Sequence, residues 1–160
     1  MKEEEFNEAF MREAVRMSRE GMADGRGGPF GAVVVKDGEI ISRGANRVVR
    51  GCDPTAHAEV VSIREACKAL GTHVLDGCVL YSSCEPCPMC MAAIYWSRIR
   101  HVWYAGTHAD ATDAGFDDSL IYAEIKLPIE DRMVPMRQRM RDSALEVFEE
   151  WKASAVKVPY

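Results

Sequence analysis

Residue types that bind transition metals form one compact pattern in the sequence. His57 stands two residues before Glu59, and further along the chain comes the segment Pro86-Cys87-Pro88-Met89-Cys90. Cys87 and Cys90 are three positions apart, so at the start of a helix both sulfurs lie on one face, where the helix N-terminus favours their thiolate forms. One imidazole and two thiolates leave the fourth tetrahedral position open for water. This is the arrangement of a catalytic zinc.

Glu59 is placed to act on that water. On a helix it points away from His57 and is therefore a poor co-ligand. Zinc acidifies a bound water toward neutrality, and a nearby carboxylate can take the proton and return it to a substrate nitrogen or leaving group. His-x-Glu followed by Pro-Cys-x-x-Cys is also the signature pattern of zinc-dependent nucleobase deaminases. The pattern predicts hydrolytic chemistry with one zinc per chain and Glu59 as the catalytic proton carrier.

A second interpretation uses Cys84 as a fourth ligand. Cys84 stands three residues before Cys87 and would complete a closed, structural site of three cysteines and one histidine. The protein would then be a zinc-stapled interaction module that unfolds on chelation and has no catalytic activity. That interpretation leaves Glu59 without a role, so we favour the catalytic site. The remaining cysteines are expected in the core or in loops: Cys52, Cys67 and Cys78.

Composition fits one folded domain over residues 1–160. Apolar residues make up 48% of the chain and charged residues 28%, which excludes wholesale disorder. Twenty Lys and Arg against twenty-five Asp and Glu give a formal net charge of −5, the wrong sign for a protein that wraps nucleic acid over a broad face. No apolar run has the length of a membrane span, and the acidic start lacks the pattern of a signal peptide. We expect a cytoplasmic protein with reduced thiols and with neither membrane nor nucleic acid as a partner.

The amino-terminal half shows three clear elements. Apolar residues at helical spacing predict an amphipathic helix over residues 3–23. Asp37-Gly38 between two β-branched runs predicts a tight antiparallel hairpin. Residues 57–70 repeat apolar positions at helical spacing, with Thr55 as the expected N-cap. The site histidine is therefore expected at the start of a helix.

The second half predicts a crossover. A strand over 78–82, a helix over 88–97 that opens on proline, and a strand over 101–105 imply a parallel strand-helix-strand unit. Further elements are expected closer to the carboxyl end: helices over 119–125 and 143–154, and a strand over 134–140. Together these elements predict an α/β fold with three α/β/α layers and a mixed sheet of about five strands.

These motifs resemble the cytidine deaminase-like superfamily, and more closely its small bacterial guanine deaminases. The zinc motifs are typical of the whole superfamily, whereas Gly115-Phe116-Asp117-Asp118 and the terminal Tyr160 indicate guanine. Plant guanosine deaminases share much of the same pattern. The similarity runs nearly end to end, through these further segments: Gly27-Gly28-Pro29-Phe30-Gly31-Ala32, Asn46, Asp53-Pro54-Thr55-Ala56-His57-Ala58-Glu59, Ser83-Cys84-Glu85-Pro86-Cys87-Pro88-Met89-Cys90 and Ile94-Tyr95-Trp96.

The resemblance implies a role for each matching residue. His57, Cys87 and Cys90 would be the zinc ligands, with Glu59 as the proton shuttle. The resemblance also implies dimers that exchange their carboxyl-terminal segments, so that Tyr160 closes the pocket of the partner. The implied substrate contacts comprise two polar residues, two aromatic residues and the terminal tyrosine: Asn46, Asp118, Phe30, Trp96 and Tyr160.

Ordinary structural roles remain open for the same substrate-contact residues. Asn46 suits a turn, and Asp117 with Asp118 suits a helix N-cap. Trp96 suits a core position, and Tyr160 suits a frayed end. Asn and Asp also offer the donor and acceptor pattern that a purine edge requires, which agrees with the implied contacts.

The predicted reaction is hydrolysis of guanine to xanthine and ammonia, by attack of zinc-bound hydroxide on C2 with Glu59 carrying the proton. The same chemistry on another substrate is the main alternative: guanosine, isocytosine, cytosine or the adenosine of a tRNA. A tRNA enzyme needs a phosphate-binding surface. Four arginines form a local basic stretch that a solvated face also explains: Arg132, Arg137, Arg139 and Arg141.

Overall fold

The computed structural model describes residues 5–25 and 27–158. The chain divides into two compact units, Met1–Asp118 and Ser119–Tyr160. The described residues of the first unit form nine elements, in the order helix, two strands, two helices, strand, helix, strand and helix. They are α1 (Glu8–Met22), β1 (Gly31–Lys36), β2 (Glu39–Ala45), α2 (Val48–Gly51), α3 (Ala58–Leu70), β3 (Cys78–Cys84), α4 (Pro88–Trp96), β4 (His101–Gly106) and α5 (His108–Asp113).

Four strands form one mixed sheet in the order β2-β1-β3-β4. β1 pairs antiparallel with both β2 and β3, while β3 and β4 are parallel. The hairpin between β1 and β2 turns at Asp37 and Gly38, both with positive φ, as tight hairpin turns require. The predicted hairpin and the predicted β3-α4-β4 crossover are both confirmed.

Helices cover both faces of the sheet, which gives the predicted three layers. Successive residues of β1 point to opposite faces, as the two-residue period of a strand requires. Val33 and Val35 pack in a cluster with Ala14 of α1. Ala32 and Val34 pack on the other face in a cluster with α3 and α4. The residues buried on that second face include Ala58, Ile63, Ala66, Leu80 and Ile94.

Gly44 on β2 allows α3 to approach the sheet closely. A Cβ atom at this position would lie 2.1 Å from the carbonyl oxygen of Ala58 and 2.7 Å from the backbone nitrogen of Ser62. No real side chain tolerates such distances. The first turn of α3 therefore rests directly on the backbone of β2. This contact sets the height of the helix start above the sheet.

Three expectations from the sequence differ from the structure in detail. The sheet has four strands among the described residues rather than about five. The strand predicted over 134–140 is wrong, because that segment forms no strand. Thr55 is not the N-cap of α3, since His57 occupies that position. Thr55 instead donates its hydroxyl and its backbone N–H to a carboxylate oxygen of Asp53, which stabilises the turn before the helix.

The second unit is built from short helices. It contains α6 (Ser119–Glu124), a 3-10 helix (Ile129–Asp131) and α7 (Arg141–Ala153). None of its described residues is buried. Large apolar side chains on α7 are instead exposed: Val147, Phe148 and Trp151. A helix with such a face is stable when another surface covers it.

Candidate active site

The site forms where two helices begin. His57 is the N-cap of α3 and Cys87 is the N-cap of α4, and both have extended backbone. Neither side chain makes a capping hydrogen bond to its own helix. Pro88 follows Cys87 at the first helical position, where its missing N–H costs nothing. Both N-cap side chains are therefore available to contact each other in front of the two helices.

The three predicted metal ligands lie together. Nδ1 of His57 is 3.5 Å from the sulfurs of both Cys87 and Cys90, and the two sulfurs are 3.6 Å apart. A tetrahedral zinc, with Zn–S of about 2.3 Å and Zn–N of about 2.0 Å, separates two sulfurs by about 3.8 Å and sulfur from nitrogen by about 3.5 Å. The spacing of the donor atoms therefore fits zinc, as does their chemistry.

The pKa values of Cys87 and Cys90 are shifted in opposite directions. The pKa of Cys87 is lowered to about 4, chiefly by its hydrogen bond with Cys90 and also by that with His57. The pKa of Cys90 is raised by the same bond to Cys87 and by burial. The pKa of His57 is raised, first by its hydrogen bond with Cys87. Because these ligands must lose protons to bind zinc, metal affinity will rise with pH.

Glu59 lies in the first turn of α3 and is buried, with 6% of its surface exposed. Its Oε1 accepts a hydrogen bond of 3.3 Å from the hydroxyl of Ser82 on β3. Burial raises the pKa of the Glu59 carboxyl, and the charge of Cys87 adds to the effect. A raised pKa brings a carboxyl closer to the pH at which the enzyme works, and this suits a group that both accepts and donates a proton.

Cys84 does not join the metal ligands. Cys84 ends β3, and its sulfur lies 3.5 Å from the carbonyl oxygen of Thr107. Burial raises the pKa of this thiol to about 11, so it is a neutral thiol near pH 7. The cluster of metal-binding atoms in this region comprises His57, Cys87 and Cys90. The cluster therefore offers three candidate ligands and would leave the fourth tetrahedral position open.

Asn46 is buried at the end of the β2 hairpin. Its Oδ1 accepts hydrogen bonds of 3.2 Å from the backbone nitrogens of Gly28 and Val48. The oxygen is thus committed to the turn, as the structural interpretation of this residue predicts. The Nδ2 group, a donor, is the part of the side chain left to meet a ligand.

Two phenylalanines form one aromatic wall. The rings of Phe30 and Phe116 meet edge to face, with centroids 4.9 Å apart and an interplanar angle of 86°. Phe116 follows Gly115, whose φ of +91° needs a glycine. Sequence reasoning named Phe30 alone, although Phe116 lies inside the Gly-Phe-Asp-Asp run that was already singled out.

Asp118 faces a histidine that sequence reasoning missed. Its Oδ1 lies 2.5 Å from Nδ1 of His108, the first residue of α5. The Asp118 charge is also one of those that raise the pKa of His57. The carboxylate is therefore close enough to the metal ligands to act on their charge. Only the tertiary structure could pair it with His108, because ten positions separate the two.

Two other predicted contacts remain predictions. Trp96 is the last residue of α4 and is 61% exposed, so it is not the core residue of the structural interpretation. Tyr160 lies outside the described residues.

Residues 4–106 match the family described as the cytidine and deoxycytidylate deaminase zinc-binding region. The chain belongs to this deaminase family. It is accordingly a zinc-dependent aminohydrolase, and the three clustered ligands fit the metal that the family binds.

Similarity continues beyond the zinc region of this deaminase. The guanine deaminase of Bacillus subtilis (strain 168) is 54% identical over 154 residues, which is 96% of this chain and 99% of the relative. The X-ray structure of that guanine deaminase superposes with a TM-score of 0.94 and 53% identity, covering 98% of this chain and 99% of the other. A guanine deaminase structure from Nitrosomonas europaea has a TM-score of 0.66 and 38% identity, covering 71% of this chain and 65% of the other.

Relatives that act on tRNA match a shorter part of this deaminase. The tRNA-specific adenosine deaminase of Aquifex aeolicus (strain VF5) is 46% identical over 105 residues, which is 66% of each chain. Within residues 5–25 and 27–158, no helix combines the length and apolar character needed to cross a membrane.

Proposed function

We propose that this deaminase hydrolyses guanine to xanthine and ammonia. The observation that carries the proposal is the extent of similarity to a guanine deaminase, which includes the second unit and the Asp118 region as well as the zinc motifs. The relative that acts on tRNA matches a shorter share of the chain. Guanine is therefore favoured over the other bases and nucleosides that the zinc motifs alone allow.

Glu59 carries the protons in this reaction. His57, Cys87 and Cys90 would hold a zinc ion, which would supply a nucleophile at neutral pH by acidifying a water molecule. The buried Glu59 carboxylate takes a proton from that water and gives it to the ring nitrogen beside C2 of guanine. It then takes a second proton from the hydroxyl group that has added to C2 and transfers it to the departing amino group, so that the carbon–nitrogen bond breaks, the C2 carbonyl forms, and water and guanine become xanthine and ammonia. The raised pKa of Glu59 suits both directions of transfer.

Polar and aromatic residues that the resemblance assigns to the substrate would orient the base. Nδ2 of Asn46 can donate to an acceptor on the purine edge, and the Asp118 carboxylate can accept from a purine N–H. Phe30, backed by Phe116, offers an apolar surface for the ring. Trp96 and Tyr160 are proposed as further contacts, on the resemblance to guanine deaminases.

We also propose a homodimer with exchanged carboxyl-terminal segments, in which Tyr160 closes the pocket of the partner. Exposed apolar surface on both units supports it. Every residue of α4 is apolar in type, yet Tyr95 is 70% exposed, and helices that are apolar on all sides are normally buried. α7 likewise exposes Phe148 and Trp151. A second copy of the chain would cover these surfaces.

A reducing, cytoplasmic location is proposed from the thiol chemistry. All six cysteines are free, and thiols persist in the cytosol, where cellular reductants keep them reduced. Oxidation of Cys87 and Cys90 would destroy the metal site.

The decisive test is a chromatographic assay of the zinc-loaded protein with guanine, guanosine, adenine, cytosine and isocytosine as separate substrates. We expect xanthine from guanine. Glu59→Gln keeps the shape of the side chain but removes its proton chemistry, so we expect about 10²-fold to 10⁴-fold slower turnover with one zinc still bound. Turnover of another base with no xanthine formed would overturn the proposed substrate. Near-normal turnover by Glu59→Gln would overturn the role of Glu59.

A further inference from the structure

The Asp118 carboxylate contacts His108, a residue that has no role in the reaction described above. Nδ1 of His108 lies 2.5 Å from Oδ1 of Asp118, and Oδ1 is inaccessible to solvent. Among the described residues this is the one polar contact made by Oδ1, and it lacks the geometry of a regular hydrogen bond; two lone pairs cannot approach this closely, so Nδ1 carries a proton. The contact between this N–H group of His108 and the carboxylate restrains the rotation of the Asp118 side chain. Oδ2 is then the oxygen left to face a ligand.

The backbone of His108 is itself held by the loop of residues 85–87, which joins β3 to α4 and contains Cys87; we call it the zinc loop. Its N–H donates a hydrogen bond of 2.9 Å to Oε2 of Glu85, which lies two residues before Cys87. The backbone N–H of Glu85 in turn donates to the carbonyl oxygen of Gly106, at 2.8 Å. Glu85 thus bonds to both sides of the turn between β4 and α5. A shift of the zinc loop would be transmitted to His108.

The start of α5 is also rigid for local reasons. Thr107 and Asp110 form a capping box in which each side chain bonds to the backbone of the other. The backbone N–H of Thr107 donates to Oδ2 of Asp110 at 2.7 Å. His108 therefore stands on a fixed helix start, with its Nδ1 beside Oδ1 of Asp118. Side chains supported in this way hold functional groups within the narrow tolerances that binding sites need.

The geometry points to His108 as a positioning residue that fixes the Asp118 carboxylate for recognition of an N–H on the purine, and that ties this carboxylate to the zinc loop through Glu85. The inference rests on the proposed function, since Asp118 must bind the base for its orientation to matter. His108 makes no contact with the reacting atoms in this scheme. Its removal should therefore weaken binding of the base more than it slows the chemical step.

The test compares His108→Ala and His108→Asn with the unmodified protein. An Asn amide can place its Nδ2 donor close to where the imidazole Nδ1 lies, so it restores the restraint without the ring. We expect His108→Ala to raise KM for guanine about tenfold, with kcat changed less than threefold and one zinc retained. His108→Asn should recover to within about threefold of the unmodified KM. Calorimetric binding of 8-azaguanine should weaken in parallel, and thermal melting will show whether each variant is folded.

A double-mutant comparison separates positioning from packing. If His108 acts through Asp118, the double variant His108→Ala/Asp118→Ala should have a KM for guanine less than twofold above that of Asp118→Ala alone. His73→Ala is the control for loss of an exposed histidine outside the site and should leave KM unchanged. Multiplicative effects in the double variant, or a His108→Asn as impaired as His108→Ala, would overturn the inference.

The two levels of the hypothesis fail differently. An unmodified, zinc-loaded protein that forms no xanthine from guanine would overturn the proposed function, and this inference with it. Normal guanine turnover combined with a His108→Ala variant that behaves like His73→Ala would overturn the positioning role alone.

Discussion

His57 and Cys87 occupy equivalent positions, each as the N-cap of a helix, and Nδ1 of one lies 3.5 Å from Sγ of the other. The N-cap residue has extended backbone and projects its side chain ahead of the helix. Two helices that begin side by side thus bring their N-cap ligands together. The partial positive charge of each helix start also favours the thiolate form of Cys87.

Removal of one ligand should weaken zinc binding strongly, whereas removal of the neighbouring thiol of Cys84 should not. We expect Cys87→Ser and Cys90→Ser to lower zinc affinity by more than about 100-fold, beyond the usual effect of changes around a ligand. Cys84→Ser should retain one zinc per chain, because its sulfur faces the carbonyl of Thr107. Metal content measured after dialysis against a weak chelator tests this. Loss of zinc from Cys84→Ser would instead support the closed site with four protein ligands.

Ser82 should affect turnover without affecting the metal. Ser82→Ala removes the hydroxyl that donates to Oε1 of Glu59, so the carboxylate loses a restraint inside the core. We expect kcat for guanine to fall about threefold to tenfold, with zinc content unchanged. Ser97→Ala is the matched control, since Ser97 is also buried but bonds to the carbonyl of Ile94. Equal effects of the two substitutions on kcat would contradict a specific role for Ser82.

A methyl group at position 44 should disturb α3 at its first turn. Gly44→Ala places a Cβ 2.1 Å from the carbonyl oxygen of Ala58, so the helix must move away from β2. We expect a loss of about 1–3 kcal/mol in the free energy of unfolding and reduced zinc affinity, because His57 precedes Ala58 directly. Gly51→Ala is the control, since its Cβ would meet only Asp53, at 3.9 Å. Chemical denaturation measures both, and equal stabilities would contradict the close approach.

Glu13 should make stability depend on pH in the acid range. Its pKa is lowered from 4.5 to about 2, first by its hydrogen bond with Arg16 and then by that with Arg43. A carboxylate with a depressed pKa contributes its full stability above about pH 4.5, and the contribution is lost as pH falls toward about 2. Glu13→Gln should therefore cost about 1 kcal/mol at pH 7 and almost nothing near pH 2.

Glu20→Gln serves as the control for this prediction. Glu20 also pairs with Arg16, but both side chains are about half exposed, so its substitution should change stability by less than about 0.5 kcal/mol. Urea denaturation across the acid range compares the two variants. A cost for Glu13→Gln that is the same at every pH would show that the lost contribution is not electrostatic.

Sequence alone determined the chemistry of this protein and most of its secondary structure. His57, Cys87 and Cys90 are recognisable because metal binding restricts residue type, and Glu59 because it follows His57 by two residues; all four lie at or near one of two helix starts. The Asp37-Gly38 hairpin and the β3-α4-β4 crossover are likewise local patterns with strong conformational preferences. Each of these features consists of short segments whose residues lie close together along the chain.

Tertiary structure decided which distant side chains meet. Ser82 on β3 bonds to Glu59 on α3, the ring of Phe30 contacts that of Phe116, and Asp118 pairs with His108. No local period encodes such contacts, because they depend on how the elements pack. The strand expected over 134–140 failed for a related reason. Its alternating polar and apolar residues fit a strand, but a strand forms only where a sheet edge lies in register to receive it.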